Sequence, residues 1–168
     1  MTVPAVRLRR VRPTTHAAHP AEPIPRGVTL LELLIAVMVV GIIAALAYPS
    51  FTGAIRKSRR ADAMAALTQV MQAQERWRAN NTTYNGDIST LTGAPSRSAN
   101  GHYDISIGSG SATSSTYIAV ATARSDHDQY ADTTCRTLRV TMSGGGMPTY
   151  SSTSSSGTTN SPDICWVR

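Results

Sequence analysis

The sequence predicts an α+β protein: one long N-terminal helix, apolar enough in its first half to cross a membrane, packed through its second half on a small antiparallel sheet. Three observations carry this. Residues 28–51 read VTLLELLIAVMVVGIIAALAYPSF, with Glu32 as the only charge. Residues 55–79 hold neither Gly nor Pro and set Ala63, Ala66, Leu67, Val70, Met71, Gln74 and Trp77 at intervals of three and four, which is the stripe of an amphipathic helix. After residue 100, three short runs of β-forming residues are separated by Gly, Ser and Asp clusters.

Taken in order, residues 1–27 form a leader in which Pro4, Pro13, Pro20, Pro23 and Pro25 leave no room for a helix or strand. They also concentrate charge. Arg7, Arg9, Arg10, Arg12 and Arg26 against Glu22 give +4 of the formal +6, so the remaining residues carry +2. Overall charge therefore gives DNA binding little support.

The segment 28–51 is long enough for a membrane and assembly helix, since 24 residues rising about 1.5 Å each cross a bilayer core. It does not read as an ordinary cleavable signal peptide. Ala45, Leu46 and Ala47 run straight into Tyr48 and Pro49 and then a helical pattern, with no polar sequence closing the apolar run. The helix is expected to continue to about residue 79, where an Asn- and Thr-rich stretch at 80–87 ends it. An irregular loop follows, then strands at 103–107, 117–123 and 138–142, with three or four strands in all. Residues 143–161 are dominated by Gly, Ser and Thr and are too polar to pack alone. Residues 52–168 thus form a head lying outside the membrane.

The informative motif is Arg26, Gly27, Val28, Thr29, Leu30, Leu31 and Glu32, with the apolar run behind it. A carboxylate at mid-membrane depth costs about 2.5–3.5 kcal/mol on insertion scales, so Glu32 calls for a partner. A cut after Gly27 would create one, an ammonium on Val28 about one helical turn away or within reach of a neighbouring subunit's carboxylate. Two charges costly alone would then neutralise one another and fix register.

These residues resemble the class III signal of type IV prepilins and the related pseudopilins. The resemblance implies cleavage between Gly27 and Val28 by a membrane prepilin peptidase that also N-methylates Val28, and an assembly role for Glu32. Gly41 and Pro49 stand where many pilins have Gly and Pro. By the same resemblance they bound a segment that unwinds in the filament and stays helical in the bilayer, where freed backbone groups lack partners. Val28 departs from the Phe usual at the first mature position. The implied fold is the pilin fold, and the implied function is that of a structural subunit of a type IV pilus, major or minor, supporting motility, adhesion or DNA uptake. A pseudopilin of a type II secretion system is the alternative within the family. A generic signal anchor carrying a non-polymerising binding or catalytic module is the alternative outside it.

Cys135 and Cys165 lie far from any residue at metal-ligand spacing, so one disulfide is the expected pairing and two inert buried thiols the alternative. They resemble the pair closing the C-terminal loop of many pilins, and the Cys165-Trp166 ending resembles PilE-like minor pilins. Such a loop is either a plain staple or an exposed adhesive surface.

Arg56, Lys57, Arg59 and Arg60 form a basic cluster past the membrane span, expected to be a solvated or intersubunit face, with lipid headgroups and DNA as lesser partners. Asp126, His127, Asp128 and Asp132 lack the Gly and terminal Glu of a calcium loop and read as a hydrated loop. No nucleophile elbow or phosphate-cradling loop is present, so no enzyme, cofactor or metal is expected. The expected partners are other pilins, the prepilin peptidase, the inner-membrane assembly platform and membrane lipid. The expected location is a bacterial inner membrane in a single pass, then an extracellular pilus.

Overall fold

The computed structural model describes residues 27–144 and 146–166. The expected leader therefore lies, apart from Gly27, outside the described residues. The chain divides between Gly41 and Ile42 into two units.

The first helix, α1, spans Leu30–Arg78. It starts where it does because the Thr29 hydroxyl accepts the Glu32 amide N–H at 3.2 Å, filling one of the four amide donors a helix leaves unpaired at its start. It ends where the Trp77 carbonyl is taken by the Asn80 amide (3.1 Å) and the Asn81 side chain (2.8 Å), which satisfies that acceptor without a further turn. Its most apolar 18-residue window has a mean hydropathy of 2.8, and none of it is buried. Pro49 sits inside α1, and the Thr52 hydroxyl back-bonds to the Pro49 carbonyl at 2.9 Å.

The sheet is an antiparallel meander in the order β1 (Tyr103–Ile107), β2 (Thr116–Ala123), β3 (Thr137–Ser143) and β4 (Thr149–Thr153). Three strands fall where alternation predicts them. The fourth lies in the segment expected to be too polar to pack alone, and it is held by its neighbour rather than by its own side chains. An edge strand needs a ladder on one side only, and β4 obtains it from β3 through the pairs Leu138↔Ser152 and Val140↔Tyr150. A buried Ser152 then costs little, because its hydroxyl donates to the Asp163 carboxylate at 2.8 Å.

Burial alternates along β1 and β3, so one sheet face forms the core. Tyr103, Ile105, Tyr117, Ala119, Leu138 and Val140 cluster there with Ala63, Ala66, Leu67, Val70 and Ala73 of α1. Small residues on both sides let helix and sheet approach, and each buried Leu or Val contributes about 1.5–3 kcal/mol. Gln74 is also fully buried in this stripe. Its amide donates to the Asn85 carbonyl (2.7 Å) and accepts the Asn85 amide (2.9 Å), so a side chain pins the loop after α1 as a neighbouring strand would.

Candidate functional site

At the start of α1, Gly27 and Val28 precede the helix and are exposed. Thr29 caps it, and Glu32 stands in the first turn, also exposed, where a carboxylate favours the positive end of the helix dipole. The Thr29-x-x-Glu32 spacing is that of a capping box and is legible in the sequence; the structure shows its Thr29 half. Glu32 therefore has a local use besides any intersubunit one. A side chain added at Gly41 would meet nothing within 4 Å.

The basic cluster divides by role. Arg60 forms a two-pronged pair with Asp132, Nε to Oδ2 at 2.8 Å and Nη2 to Oδ1 at 3.1 Å. Both side chains are largely shielded, at 14 % and 4 % exposure. Asp132 also accepts the Gln129 side-chain amide and the Cys135 backbone amide. Gln129 in turn donates to the Tyr103 hydroxyl at 2.8 Å, and burial pushes the Tyr103 phenol up to about 12. Two expectations are corrected here. Asp132 is an anchor inside the head and no part of a hydrated loop, and Arg60 is no solvated cation. Lys57 remains exposed, while Arg56 and Arg59 are partly buried, with Arg59 reaching Asp128 at 3.6 Å. A cleft of 330 Å³ opens beside them, lined by Tyr48, Thr52, Arg56 and Arg59 of α1 and by Asp128 and Ala131 of the 3-10 turn Asp128–Ala131. Among the described residues, no group of three or more His, Cys, Asp or Glu is arranged to hold a metal ion.

His102 packs edge-on to His127, with ring centres 5.6 Å apart. Desolvation and the nearby Arg59 lower its pKa below the usual imidazole value.

At the far end of the sheet, Cys135 and Cys165 are joined in a disulfide with Cα atoms 5.7 Å apart. Polar side chains complete the staple. Asn160 donates to the Thr134 carbonyl (2.9 Å) and the Ser152 hydroxyl (2.8 Å), Asp163 accepts the Cys165 amide (3.0 Å), and the Trp166 indole donates to the Ser151 carbonyl (2.9 Å). The outer sheet face carries Thr122, Thr137, Thr141, Ser151 and an exposed Arg139, which has no acidic partner among the described residues. Beside β3, the Arg136 guanidinium lies 3.5 Å above the Tyr130 ring.

A family profile described as "Type IV minor pilin ComP, DNA uptake sequence receptor" matches residues 49–139, more than half of the chain. The chain belongs to this type IV minor pilin family. A second profile, the prokaryotic N-terminal methylation motif, matches residues 25–48. The type IV major pilin protein PilA of Myxococcus xanthus (strain DK1622) is 32 % identical over 85 residues, which is 51 % of this chain and 39 % of that protein. The chain thus spans well under half the length of that relative.

As a type IV pilin with a prepilin motif and an exposed apolar helix, the chain is a membrane-anchored pilus subunit that is assembled into an extracellular pilus. The family match covers the part of this pilin that runs from Pro49 in α1 through β1 and β2 to Arg139 in β3. Family membership selects the pilus subunit from the readings that the sequence left open. What the sequence did not bring out were the capping role of Thr29 and the roles of Asn160 and Asp163. Thr29 had a spacing signal, whereas the other two act through partners that only the fold brings near.

Proposed function

We propose that this chain is a minor pilin whose head binds double-stranded DNA during uptake. In the same reading it is cut after Gly27, N-methylated at Val28 and polymerised through α1 with Glu32 pairing the new amino terminus. It is a structural and binding subunit with no catalytic step of its own. The observation that carries the proposal is the match over residues 49–139 to a family described as a DNA uptake sequence receptor. Overall charge argued against DNA, but phosphate contacts depend on local cations. Exposed Arg139 amid threonine and serine hydroxyls supports the reading, because guanidinium and hydroxyl groups are the usual donors to phosphate oxygens. Around Asp104, by contrast, Arg97 and Arg124 are already paired.

The test is a gel-shift titration of the purified chain with labelled duplex at several salt concentrations. Arg139→Ala should weaken binding several-fold and reduce the slope of log affinity against log salt by about 1, as loss of one phosphate contact does. Absence of duplex binding at low salt would remove the DNA reading and leave the pilus assignment standing.

A further inference from the structure

We propose that the cleft between α1 and the 3-10 turn at 128–131 is a binding site for the phosphate of a phospholipid headgroup, occupied while the subunit is anchored in the membrane and vacated on assembly. The inference goes beyond the DNA reading and rests only on membrane anchoring.

Tyr48, Thr52, Ile55, Arg56 and Arg59 line the cleft at spacings of four, seven, eight and eleven from Tyr48, so they form one stripe on one helix face. The stripe grades from apolar to cationic along the helix. Tyr48, Phe51 and Leu46 are exposed at the end of the apolar run, where aromatic rings favour the membrane boundary. Arg56 follows Phe51 by five residues, about 7.5 Å of helix. The headgroup layer on each side of the hydrocarbon is about 5–8 Å deep, so Arg56 falls at phosphate depth, and Arg59, about 12 Å from Phe51, lies just beyond it on the same helix face, where side chains tilt back toward the helix N-terminus. Chemistry agrees with position. Arg56 has no acidic partner among the described residues. Arg59 has only a 3.6 Å contact with Asp128, whose side chain is 90 % exposed, so most of the five guanidinium donors remain free for a second anion. Tyr48 brings a hydroxyl to the same cleft, whereas the Thr52 hydroxyl is already donated to the Pro49 carbonyl. Neighbouring Arg60 is consumed by Asp132, which explains why the cleft is built from Arg56 and Arg59.

A site that holds phosphate at the membrane surface would fix the depth and rotation of α1 before extraction. The test is native mass spectrometry of the full chain in lipid-free detergent, titrated with dioleoyl phosphatidylglycerol or with dioleoyl glycerol, which lacks the phosphate. One phosphatidylglycerol should be retained per chain, about tenfold tighter than the phosphate-free lipid. The double substitution Arg56→Gln with Arg59→Gln should bring the two lipids to within about twofold of each other. Lys57→Gln, which removes a like charge at an exposed position outside the cleft, should leave the preference intact.

Equal retention of the two lipids by the unmodified chain overturns the proposal, whatever the variants do to folding. Loss of the preference in Lys57→Gln, equal to that of the double variant, also overturns it, because general positive charge would then be what is read. A short DNA duplex that displaces the lipid, and binds the double variant more weakly, would reassign the cleft to the nucleic-acid backbone.

Discussion

Asp132 and Arg60 are separated by 72 positions in sequence and meet in a shielded, two-pronged ion pair. Removing one partner of such a pair leaves the other charge desolvated, which costs about 3–5 kcal/mol. Asp132→Ala should therefore lower the unfolding free energy of the head by an amount in that range, read from urea titrations by tryptophan fluorescence of the full chain in detergent. Arg97→Ala, at a pair more than half exposed on both sides, should shift it by less than about 1 kcal/mol. The contrast also shows what the sequence makes legible. Glu32 stands out because a lone carboxylate interrupts an apolar run, a one-dimensional signal. Asp132 looks like its two acidic neighbours, and only the packing of α1 against the turn at 128–131 separates it from Asp126 and Asp128.

Among the elements, α1 and the first three strands are legible because their apolar residues recur at the helical and strand periods along the chain itself. The fourth strand is not legible in the same way. Its residues Thr149–Thr153 carry almost no apolar signal, and the pairing with β3 and the staple at Cys135–Cys165 supply what its side chains lack. On a chain-entropy estimate, closing a loop of 30 residues removes about 3–4 kcal/mol of unfolded-state freedom. Within α1, Pro49 has no amide hydrogen to give, and Gly41 gains little from helical order. The helix nevertheless runs unbroken through both positions in the single chain. We propose that the stretch between them unwinds only where neighbouring subunits shield its backbone. Pro49→Ala combined with Gly41→Ala should keep this stretch helical in filaments, read as continuous helical density by cryo-electron microscopy and as reduced extension under force. An unwound stretch in the double variant would show that these two residues do not set the transition.

For the whole molecule, processing and polymerisation are one sequence of events. Gly27→Leu should leave uncut precursor in the inner membrane fraction. Glu32→Ala should still insert and be cut, because a more apolar helix enters lipid more easily. It should be depleted from sheared surface filaments by about tenfold or more, the scale on which loss of a desolvated charge pair acts. Mass spectrometry of the sheared and membrane fractions reads both outcomes, and wild-type abundance of Glu32→Ala in filaments would show that its place at the positive end of the helix is the whole use of this carboxylate.

The staple has one further consequence, which concerns time. Cys165 follows every strand of the sheet, while Cys135 precedes β3. In a chain anchored by its N-terminal helix, the thiol at 165 crosses the membrane after every strand of the head. The bond can close only after Cys165 has followed β4 across, and in the folded head Asn160, Asp163 and Trp166 stand beside it. Oxidation at this site is thus a signature of finished export, and a stalled chain announces itself by a thiol that still reacts.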